Sequence, residues 1–127
     1  MPVNVPLIPF IRRRRRPKMV TPPAALMLVA AEYDSEVSVT LTFDRAIDVA
    51  GLVGSAIVVE DAGAGLRFEA TGPVTIINPQ TVRIGLGETG PSGTADNILN
   101  ASAGSGIVAV DDGGMWAGVS DLVLPFP

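Results

Sequence analysis

Five consecutive arginines, Arg12, Arg13, Arg14, Arg15 and Arg16, with Lys18 two positions beyond them, are the densest concentration of chemistry in the chain. Guanidinium groups in such a run can neutralise phosphates or pair bidentately with carboxylates. Three uses are therefore open: binding of nucleic acid, docking onto acidic protein, or a solvated cationic tail. No aromatic side chain interleaves the arginines, which weakens recognition of single strands by stacking. Ahead of the run, Val3, Val5, Leu7, Ile8, Phe10 and Ile11 make an apolar tip. Left in water these side chains would be a liability, so they are expected to enter a partner's groove or add a strand to its sheet. The alternative is packing on the chain's own body, which Pro6 and Pro9 disfavour because each removes a backbone donor from any regular pairing.

Other chemistry is sparse. The acidic pairs Glu60/Asp61 and Asp111/Asp112 raise the question of calcium, which needs about six to eight converging oxygens. No D-x-[DN]-x-[DN]-G spacing occurs, and the sequence DDGG at residues 111–114 reads as a turn, so neither a metal nor a cofactor is expected. Cysteine and histidine are both absent. That excludes disulfides, thiolate zinc sites and an imidazole base. Lys18 is the lone lysine, and the glycine-containing stretches DAGAG and GETGPSG lack the lysine and helix of a phosphate-binding loop. The chain is not expected to be an enzyme. Trp116, within GMWAG, reads either as an interface anchor or as a cap on one end of the fold; the need of small domains for large core side chains favours the cap.

The charges divide the chain in two. Residues 1–23 carry six cations and no acid, whereas the rest carries three arginines against all 13 Asp and Glu, a formal charge of −10. Pro2, Pro6, Pro9, Pro17, Pro22 and Pro23 bias the leading segment toward extended, polyproline-like backbone. Residues 1–23 are thus expected to be an extended basic arm, and residues 24–127 one folded domain. In the arm the apolar stretch precedes the charges, the reverse of a secretory signal, and no run is long enough to span a bilayer.

The elements that would position these groups are strands. Residues 26–33 form an apolar run, and Val37, Val39, Leu41 and Phe43 alternate with Ser38, Thr40 and Thr42. Residues 34 and 35 can make a tight connection. Residues 44–54 interrupt the pattern, with Ile47, Val49 and Leu52 placed to plug one end of the fold. Further strands are expected at 56–60, 66–71, 74–78, 81–86, 97–102, 107–110 and 121–126, with residues 87–96 a polar surface loop. The total is about eight or nine short strands and no helix.

The segments VSVTLTFDRAID (37–48), TVRIGL (81–86) and GIVAVDDGGMWAGVSDLVLP (106–125) resemble bacterial immunoglobulin-like domains of surface-layer proteins and adhesins. The resemblance implies an all-β, immunoglobulin-like β-sandwich of about seven to nine strands. Such domains usually stand in tandem arrays, whereas here one copy follows a basic arm. In that respect the chain looks like a small phage virion protein, a capsid decoration or neck component. The resemblance implies a structural role in a virion, synthesis in the host cytoplasm, and partners among major capsid or neck proteins and copies of itself. A cell-surface binding module and an arm on packaged nucleic acid are the alternatives.

Overall fold

β-branched residues alternating with threonines build the first paired unit. In the computed structural model, which describes residues 24–124, β1 (Leu28–Asp34) and β2 (Ser38–Phe43) form an antiparallel hairpin. Val39, Leu41 and Phe43 are fully buried, and Thr40 and Thr42 lie on the other face. Val37, expected to join the buried row, is instead 61% exposed. It belongs to the turn: its N–H donates to the Asp34 carbonyl at 2.9 Å, and the preceding Glu36 takes a φ of 60°, which shifts the start of the alternation. The arm, residues 1–23, lies outside the described residues, as do residues 125–127.

The described chain is all-β. After β2 come β3 (Ile47–Asp48), β4 (Ile57–Asp61), β5 (Leu66–Glu69), β6 (Val74–Asn78), β7 (Thr81–Gly85), β8 (Gly87–Pro91), β9 (Ile98–Ala101), β10 (Val108–Ala109) and β11 (Val119–Val123). One antiparallel sheet has the order β1-β2-β7-β6, a second β11-β9-β4-β5-β8, and β3 pairs with β10. Residues 87–91, expected within a loop, are a strand. β5 recruits them through its backbone edge, from Leu66 opposite Pro91 to Glu69 opposite Gly87, so no apolar alternation was needed. In the interrupted stretch, Ile47 is buried and Val49 and Leu52 pack against the core; Gly54–Ala56 adds a single 3-10 turn.

One core joins the two larger sheets. Val39, Leu41, Val82 and Ile84 from one, and Ile57, Val59 and Leu99 from the other, are fully buried in a single cluster. Full burial of each such side chain stabilises the fold by about 1.5–3 kcal/mol. A polar tie crosses the same interface. The Tyr33 hydroxyl of β1 donates to Asp61 Oδ2 of β4 at 2.5 Å and accepts from the Glu36 N–H at 2.8 Å, while Asp61 Oδ1 accepts from the Ala64 N–H at 2.9 Å. Burial first, then the bond to Asp61, pushes the Tyr33 phenol well above its ordinary pKa.

Candidate docking site at the root of the arm

Ala24, where the described chain begins, is held on both sides of its peptide. Arg45 Nη2 donates to the Ala24 carbonyl at 2.6 Å, and Asp112 Oδ2 accepts from the Ala24 N–H at 3.1 Å. Arg45 follows directly on β2, and Asp112 sits in the turn after β10, so the two elements close over the chain from opposite sides. The clasp is cross-braced, with Arg45 Nη1 2.9 Å from Asp111 Oδ1 and 3.0 Å from Asp112 Oδ1. Asp44 Oδ1 accepts from the Met27 N–H at 3.1 Å, fixing the chain one step further on.

Each charge is tuned for this work. The Gly114 N–H, donating to Asp112 Oδ1 at 2.8 Å, is the main cause that holds the Asp112 carboxyl below its ordinary range; the Ala24 N–H and the Arg45 guanidinium act in the same direction against desolvation. Desolvation works against the Arg45 cation, but its bonds and attraction to Asp112 and Asp111 outweigh it and raise its pKa. Position 114 requires glycine because a Cβ there would overlap the Ala24 carbonyl. The sequence DDGG is therefore a turn that doubles as half of the clasp.

Trp116 lies directly beneath the root. Leu26 bridges to it in parallel register and donates its N–H to the Met115 carbonyl at 3.3 Å. The indole meets Phe43 edge-on, with centroids 5.2 Å apart and planes at 80°. At 2% exposure, Trp116 is committed to the chain's own core and presents no ring face to a partner. The side chain is a pillar under the chain that follows Ala24.

From the root a seam runs along the flank of the molecule, between the free edges of β1 and β11. A hollow of about 250 Å³ lies between residues 25–28 and residues 116–119. The next, of about 260 Å³, lies between residues 28–31 and 122–124. A third, of about 520 Å³, continues past Val123 and Leu124 to Ala62, Asp96 and Asn97. Both walls run in the same direction away from Ala24. Met27, Val29, Leu122 and Val123 are exposed along them, and Val29 sits where a register shift loosens β1 from β2.

No family model, curated protein or solved structure matches this chain. Function is therefore read from the root and the seam. The expected arm residues Arg12, Arg13, Arg14, Arg15, Arg16 and Lys18, with Val3, Val5, Leu7, Ile8, Phe10 and Ile11, lie outside the described residues. Of the acidic pairs, Asp61 is bound to Tyr33 and Glu60 accepts from the Gly93 N–H at 2.6 Å. Among the described residues no group of three His, Cys, Asp or Glu is placed to hold a metal, and no helix is long and apolar enough to cross a membrane. Sequence reasoning missed Arg45 entirely. Its signal was faint: an isolated arginine in an acidic body, 66 positions from Asp111.

Proposed function

We propose that this chain is a non-enzymatic structural protein of a virion, a capsid decoration or head-tail neck protein, formed as an immunoglobulin-like β-sandwich that docks through its N-terminal arm. The observation that carries the reading is the clasp on Ala24. Arg45 and Asp112, braced by Asp111, hold both sides of the Ala24 peptide, the first described residue after the expected arm, and so offer a fixed attachment point for it. A tether with a fixed point of departure loses less conformational freedom on docking than one that swivels. The charge division supports the same use, since a six-cation arm and a −10 body give neighbouring copies or acidic capsid surfaces a complementary face.

Deletion of residues 1–23 tests this directly. Among the described residues one core cluster joins both larger sheets, so the shortened chain is expected to fold and stay soluble while losing incorporation into particles. Unchanged incorporation overturns arm docking. Replacing Arg12, Arg13, Arg14, Arg15 and Arg16 by Gln separates charge from the apolar tip, and retained assembly assigns docking to the tip. Binding of the full chain to DNA that falls steeply with salt would transfer the arginines to nucleic acid.

A further inference from the structure

We propose that the seam between β1 and β11 receives residues 3–18 of a second copy of this chain, laid parallel to both strands. This rests on the arm-docking reading above and names the surface that takes the arm. The seam is bounded by two strand edges whose outer backbone groups have no ladder partner within the sheets, the situation in which an added extended segment gains main-chain hydrogen bonds. Its walls offer apolar side chains to match: Val29 is 59% and Val123 62% exposed, with Met27 and Leu122 beside them.

Charge sets the direction of the occupant. No arginine lines any of the three hollows. At the end away from the root, β1 runs on into Glu32 and Asp34, and the last hollow is edged by Asp96, all three exposed. Residues 3–11, nine residues without charge, span about 30 Å when extended; the wall from residue 25 to residue 31 spans about 23 Å. An apolar tip laid from the root end therefore emerges at the acidic end as the arginines begin. The opposite direction would bring the five guanidinium groups to the root, where Asp111 and Asp112 are already paired with Arg45 and Asp44 holds the Met27 N–H, whereas Glu32, Asp34 and Asp96 face no arginine along the seam.

A buried donor at the same end supports an extended occupant. Asn97, 4% exposed, lines the third hollow; its Oδ1 accepts from the Ala62 N–H at 2.8 Å, but its Nδ2 has no partner among the described residues. A buried amide N–H without a partner is destabilising, and a small shift of the Asn97 side chain toward the hollow would let a backbone carbonyl of an incoming segment accept from it. The chain's own arm is poorly placed to do so. Residues 24–31 run along the wall from the root end, so the preceding chain leaves at that end, and Pro22 and Pro23 bias their predecessors to extended backbone and against the reversal required. β6 is the rival surface, with Val74, Ile76 and Ile77 exposed, yet it bears no carboxylate to meet the arginines.

The absence of cysteine allows a direct test on the full chain. A Leu7→Cys chain mixed with a differently tagged Val29→Cys chain should form a disulfide-linked heterodimer, and a Leu7→Cys chain with an Ile76→Cys chain should not. In sedimentation, the unmodified chain should self-associate, and the Glu32→Lys/Asp34→Lys variant should do so about tenfold more weakly. A chain that stays monomeric, a cross-link only to Ile76→Cys, or closure of a Leu7→Cys/Val29→Cys double variant into a cross-linked monomer at high dilution overturns the proposal. The two readings fail separately. Cross-linking with unaltered particle incorporation after arm deletion removes the virion role alone, whereas arm-dependent incorporation without the cross-link removes the seam alone.

Discussion

The two edges of the four-stranded sheet are built to different standards. β1 is tied to β2 through a hairpin, to the other sheet through Tyr33 and Asp61, and to the Trp116 segment through Leu26, and the clasp secures the chain just ahead of it. β6 is paired only with β7, all five of its residues are exposed, and a register shift separates Ile76 from Asn78. The edge that follows Ala24 is thus the one the fold reinforces. Reinforcement of this kind localises stability at that edge and leaves the far edge at the low end of the local-unfolding scale.

Four measurements can break or sharpen that contrast. Phe43→Ala removes the ring on which Trp116 rests and should lower unfolding free energy by about 3–5 kcal/mol in denaturant titrations. Tyr33→Phe leaves Asp61 Oδ2 buried without its donor and should cost about 1–3 kcal/mol. It also bears on pH. Because the folded phenol titrates above 10.0, its contribution is complete below that value and is lost as pH rises toward the folded pKa. Tyr33 is the only tyrosine, so phenolate absorbance in the native chain should lag a free phenol and appear with unfolding; titration at the ordinary value would deny the tie.

Acid acts on the clasp with the opposite sign. The Asp112 carboxyl is held below its ordinary 3.8, so its contribution is present above that value and disappears as pH falls through the folded pKa. Hydrogen exchange at the Ala24 and Gly114 amides should accelerate there ahead of core amides, and Asp112→Asn should abolish this pH dependence. Ile76→Thr should have the smallest effect, within about 0.5 kcal/mol. If it cost as much as Phe43→Ala, β6 would be as integral as β1.

Strands with one buried face were the legible part of the fold. Leu66, Phe68, Val82 and Ile84 alternate with Arg67 and Arg83 because the sheet has one dry side, and period two survives in the sequence. β8 left no such trace, since GETGP is held by the edge of β5 and not by side-chain burial. Pairs as short as β3 and β10 lie below any periodic signal. Thr81 departs from that period: it is buried beside Val82, and its Oγ1 shares a hydrogen bond with Thr42 Oγ1 across the strands at 3.2 Å. The candidate site was legible by type and not by place. DDGG announced a turn, but its grip on Ala24 joins the Asp112 side chain to a backbone N–H 88 positions away along the chain, a distance no local pattern encodes.

The position of Trp116 gives the molecule an optical reporter of its own. It is the sole tryptophan, and its residue forms part of the wall of the first hollow of the seam. At 2% exposure the indole is already shielded from quencher, so a segment seated in that hollow reaches it only through the packing of Leu26 and Phe43. A shift in emission wavelength as the unmodified chain is concentrated, with quencher access unchanged, is the expected signature of a filled seam.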